Sequence, residues 1–93
     1  MDRGQEFWRK LAHRMDLHSQ PLPGVPLVEL AGDSRVLLEN HQGVLEYTHD
    51  RIGIRVKFGS VVVQGQGLEL CHMTRQRLVI YGKIRSVTLE GRE

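Results

Sequence analysis

From Pro26 to Leu89 short runs rich in Val, Ile and Leu are broken by Gly, Asn or Asp every eight to ten positions. That rhythm predicts an all-β body, in which β-branched residues pair in strands and turn residues separate them. The runs give about eight strands: Leu27 to Leu30, Arg35 to Glu39, Val44 to Thr48, Ile52 to Phe58, Val61 to Gln64, Leu68 to Met73, Leu78 to Tyr81 and Lys83 to Leu89. Ile52, Ile54, Val56 and Phe58 alternate with Gly53, Arg55 and Lys57, so one face should enter a core and the other meet solvent. Gly59-Ser60 predicts a hairpin turn into Val61, since glycine takes positive φ at little cost. Thr74 to Arg77 predicts a second hairpin connection, and Gly65, Gly67 and Gly82 predict bulges that bend long strands.

A weak repeat runs through these strands. Leu27-Val28-Glu29, Val44-Leu45-Glu46, Val61-Val62-Val63 and Leu78-Val79-Ile80 start 17 residues apart. A meander of antiparallel hairpins produces such a period, and so does a small solenoid whose turns stack on one another. The hairpin and bulge signals favour the meander. The expected fold is mainly β, an N-terminal amphipathic helix followed by a curved antiparallel meander closing into a roll or small sandwich; the alternative is a short β-solenoid with a 17-residue period.

The amino-terminal stretch has a different period. In residues 5 to 17, Phe7, Trp8, Leu11, Ala12 and Met15 recur three and four apart, which predicts a short amphipathic helix. Pro21, Pro23, Gly24 and Pro26 then stop any helix. The chain therefore divides into a helical arm at 1–20, a Pro/Gly linker at 21–26 and a β domain at 27–93. A helix of about 13 residues is marginal alone, so Phe7, Trp8, Leu11 and Met15 are candidate contacts, either on the arm's own domain or dimer, or on a membrane surface or partner protein.

Composition changes this picture little. Ninety-three residues support one modest core, and 13 Lys and Arg against 11 Asp and Glu leave a net charge of +2, too weak a bias to argue nucleic-acid binding. Cys71 is the single cysteine, no secretory signal is visible, and no apolar run approaches the ~20 residues of a membrane span, so a reducing cytoplasmic setting is expected. Candidate chemistry is sparse. His13, His18, His41, His49 and His72 have no zinc-ligand spacing, and Cys71 and His72 should point to opposite faces of a strand, Cys71 packed inside and His72 towards solvent. Gly65-Gln-Gly67 lacks the Lys-Ser/Thr pair of a phosphate loop, and no serine sits in a nucleophile elbow. No catalytic residue, cofactor or metal is expected.

Charge is distributed unevenly. Residues 29–50 hold five acids and one base, for −4, and residues 51–85 hold seven bases and one acid, for +6. Gathered on one face, Arg55, Lys57, Arg75 and Arg77 would suit nucleic acid or anionic lipid. Spread out, they would solvate the sheet and protect its edges.

The stretch Glu39-Asn40-His41-Gln42-Gly43-Val44-Leu45 resembles a strand-turn-strand feature of the YabP/YqfC family of endospore-formation proteins. Asp16-Leu17, Pro21, Pro26 and Leu30-Ala31-Gly32 follow in family order. So do Ile52 to Phe58, Val61 to Gly65, Leu68 to Leu70 and Leu78 to Ile84. The resemblance covers about residues 16–89 and is closer to the YqfC branch, although Gln42 stands where a basic residue is frequent and Cys71-His72-Met73 is unusual in its place. It implies a non-enzymatic protein made in the mother cell during sporulation, cytoplasmic or peripheral at a membrane, working with a membrane-embedded sporulation protein of the YqfD type. Glu39, Asn40, His41 and Gly43 match the family motif. Asn40 to Gly43 is also good turn chemistry, so their role reads as structural. Homo-oligomers formed across a sheet edge are a further expected partnership.

Overall fold

The computed structural model describes residues 24–91. Six strands form one antiparallel sheet: β1 (Leu27–Ala31), β2 (Arg35–Glu39), β3 (Val44–Tyr47), β4 (Arg51–Val56), β5 (Gly59–Cys71) and β6 (Arg77–Gly91). Their order across the sheet is β1-β2-β6-β5-β4-β3. β3 to β6 form the expected meander, and the β1-β2 hairpin pairs with the far side of β6. Every ladder is antiparallel, which removes the solenoid alternative, because stacked solenoid turns would pair the repeated triplets in parallel. The predicted helical arm lies outside the described residues.

Six strands replace the expected eight because the glycines bend two long strands without ending them. β5 joins the runs at Val61 and Leu68, and β6 joins those at Leu78 and Lys83. The register between them slips at Gln64/Gly65 and again between Gln66 and Glu69. Each slip inserts an unpaired residue and sharpens the local bend. A Cβ on Gly65 would lie 1.9 Å from the Lys83 carbonyl oxygen, so only glycine lets the strands approach there.

The bend divides the sheet. One half holds β1, β2, the first part of β6 and the end of β5; the other holds β3, β4, the start of β5 and the end of β6. Their concave faces share one core, in which Val36, Leu38, Leu68, Leu78 and Ile80 meet Ile52, Ile54, Val56, Val61 and Val63. The two hairpin turns close the joint. Asp33 and Ser34 oxygens accept from the Ile84 and Gly82 amides, and His49 and Asp50 oxygens accept from those of Leu68 and Gly65. The result is a single antiparallel sheet, mainly β as expected, bent over one core.

Two local expectations shift. The β4-β5 turn is Lys57-Phe58, and Gly59 already pairs with Val56 inside the ladder. Its Cβ would meet the Glu90 carbonyl oxygen at 1.9 Å, so close approach to β6, with φ at 153°, demands this glycine. Phe58 consequently projects outward and is not a core residue. The β5-β6 connection does use Thr74: its hydroxyl accepts from the Gln76 and Arg77 amides, while its own amide donates to the Arg77 carbonyl.

Candidate interaction surfaces

The link from β2 to β3 carries the chain from one half of the sheet to the other; Glu39 ends β2, and Asn40, His41 and Gly43 lie in the link. Asn40 takes φ 64°, a conformation that Asn tolerates better than most residues. Its amide donates to the Gln76 oxygen at 2.6 Å, and its side-chain Nδ2 donates to the Val25 oxygen at 2.8 Å. His41 follows, 8% exposed. The Gly43 amide donates to Nδ1 at 3.0 Å, so the ring hydrogen sits on Nε2, which donates to the Thr74 carbonyl at 2.8 Å. The Gln42 amide donates to the Arg55 oxygen, and the Arg55 amide donates to the Gly43 oxygen. These residues thus tie the chain entrance, β4 and the β5-β6 loop together, a structural junction.

The same junction decides where the basic residues go. Arg55 lies beside Gln42 and Gly43, while Arg75 belongs to the loop held by Asn40 and His41 and Arg77 opens β6 just after it, so these three arginines come to one end of the molecule. The side chain of Lys57 reaches towards Gly24 at the chain entrance. Arg77 is engaged, its Nη2 lying 2.8 Å from Glu39 Oε2. Arg51 pairs similarly with Glu46 at 2.7 Å, near the opposite turn. The acidic and basic stretches of the chain therefore interleave at these points, because β2 pairs with β6 and β3 with β4. An open depression of about 390 Å³ over the bend brings Asp50 and Arg85 together with Gln64, Gly65, Gln66 and Ser86. Phe7, Trp8, Leu11 and Met15 lie outside the described residues.

Cys71 is half-buried at the end of β5. His72 is exposed, as expected, but in the following loop at φ 52°, with its ring edge-on to Tyr81 at 6.3 Å. Among the described residues no three His, Cys, Asp or Glu side chains converge as metal ligands, and no helix is long and apolar enough to cross a membrane.

The sequence offered a sheet edge as a contact without saying which strands supply it. β1 and β3 are the outer strands, and β2 covers β6 only from Arg77 to Tyr81. Exposed Leu27, Leu30, Leu45, Tyr47 and Leu89 lie on these three strands. Tyr47 also reaches over the bend, its hydroxyl accepting from the Leu70 amide at 3.0 Å and covering part of the edge of β5.

A single antiparallel sheet with a pinned crossover between β2 and β3 defines a small all-β module. The model of the YabP family matches residues 25–93, and the chain belongs to that family. The match spans all six strands and suggests a sporulation-related role. No curated protein and no solved structure matches the chain.

Proposed function

We propose that this chain is a non-enzymatic sporulation protein of the mother cell, closer to the YqfC branch, acting as an interaction or assembly module with a membrane-embedded sporulation protein of the YqfD type. On this reading it is cytoplasmic, or peripheral at a membrane through that partner. The family match over the whole β domain supports the reading. The open edges of β1, β3 and β6 supply the physical means, since a strand added there makes main-chain hydrogen bonds and takes alternate side chains into contact. The anionic-surface alternative gains less, because Arg77 and Arg51 already face carboxylates.

Deleting the gene in a spore former and counting heat-resistant spores tests the role. A fall in heat-resistant spores is expected, together with recovery of a membrane-embedded partner on a tagged chain from sporulating cells. Unchanged sporulation would sink the proposal. Salt-sensitive binding to anionic vesicles that weakens on replacing Arg55, Lys57, Arg75 and Arg77, with no protein recovered, would replace it by the lipid-surface reading.

A further inference from the structure

The ladder between β5 and β6 runs out to Gly59 and Gly91. On its other side β6 is covered by β2 as far as Tyr81, then by turn oxygens that receive the Gly82 and Ile84 amides. From Ser86 to Gly91 that side of β6 has no strand beside it among the described residues. The direction of its backbone groups follows from β5. The Gly65 amide points away from β6, to the Asp50 oxygen. Alternation back along β5 turns Gln64, Val62 and Ser60 towards β6. Their register partners Ser86, Thr88 and Glu90 bond inward, so Val87 and Leu89 present their N–H and C=O groups at the open edge. Leu89 is opposite buried Val61 on the core-side face, yet it remains 61% exposed because no described residue flanks it on the open side.

We propose that this edge pairs with the same edge of a second copy, antiparallel, about a two-fold axis through Thr88. A two-fold axis perpendicular to a sheet keeps each face on its own side, so it opposes residues of the same parity. Centred on Thr88, it sets Val87 against the second copy's Leu89, and Leu89 against its Val87. Both pairs carry outward N–H and C=O groups and so exchange hydrogen bonds. On the other face Ser86, whose hydroxyl donates to Gln64 Oε1 within its own chain, meets Glu90, and no like charges are opposed. Centred on Val87, the axis would set Arg85 against Leu89, which leaves the leucine without an apolar neighbour. The self-match of this short segment, apolar on apolar with no like charges opposed, singles out a second copy as the occupant. Beyond the slip between Ile84 and Ser86 the edge bends away, which limits the contact to about six residues a side. The halves carrying β3, β4, β5 and β6 would then join into one continuous sheet across the pair.

The inference rests on the reading of the body as an assembly module, and its test is independent of sporulation. Thr88 would form a non-hydrogen-bonded pair with its own copy, where Cα atoms lie about 4.5 Å apart, within disulfide range. Full-length Thr88→Cys, in a Cys71→Ser background, should become a covalent dimer under mild oxidation. Ser86→Cys should not, because its two copies would sit about 13 Å apart. In sedimentation under reductant, the natural chain should approach twice its monomer mass as concentration rises, and Leu89→Lys should remain monomeric. Leu89 is exposed, so that variant keeps its fold. A monomeric Thr88→Cys, equal cross-linking at both positions, or a natural chain monomeric throughout would each overturn the pairing. Loss of sporulation on gene deletion, alongside any of these, would leave the sporulation role standing without it.

Discussion

His41 is the buried polar side chain among the described residues, and both ring nitrogens are engaged. Removing it loses two part-buried hydrogen bonds, to the Thr74 carbonyl and from the Gly43 amide, each contributing about 0.5–1.5 kcal/mol. His41→Ala should therefore lower unfolding stability by roughly 2 kcal/mol in urea titration, with the β spectrum retained. At Asn40, alanine loses the bond to Val25 and also strains φ, whereas glycine loses only the bond. Asn40→Ala should thus be the more destabilising of the two, and equal losses would show that backbone strain contributes nothing. Sequence made Asn40 legible as a turn residue through its chemistry. It did not reveal the burial of His41, whose partner Thr74 lies 33 residues away and follows no local period.

At the scale of elements, the bends hold the two halves of the sheet together, and they are sharply testable. Gly65→Ala places a methyl group against the Lys83 carbonyl oxygen, where backbone and not a flexible side chain must yield. We expect a loss above about 3 kcal/mol or failure to fold, read by denaturant titration and proteolysis. A loss below about 1 kcal/mol would mean that the two strands can part at the bulge without opening the core. The limits of β2 were readable, since the apolar run Val36 to Leu38 is closed by Arg35 and Glu39 and flanked by turn residues. Merging of the long strands was missed because glycine reads as an interruption. A signal was nevertheless present: the inward residues change parity between Val63 and Leu68 in β5, and between Ile84 and Val87 in β6. A parity change within one apolar series marks a bulge, whereas a turn would reset the series. Adjacency of β2 to β6 had no local cue, because it joins Glu39 to Arg77 across the meander.

At the scale of the whole molecule, the core and the five ladders of the described residues fall between Leu27 and Gly91. A chain beginning at Gly24 should therefore fold alone and give a single cooperative urea transition. Val25 must stay, because its carbonyl receives the Asn40 side chain. A body of about 70 residues is marginal for its size, so any contact made only by folded chains should contribute visibly to its stability. Pairing of two β6 edges is such a contact, and by mass action it should raise the urea midpoint of the natural sequence with protein concentration. In Leu89→Lys the midpoint should stay constant. If the shortened chain shows no transition at any concentration, the arm supplies part of the core. If it folds with a fixed midpoint, the body is stable as a monomer and its edges are left for other partners.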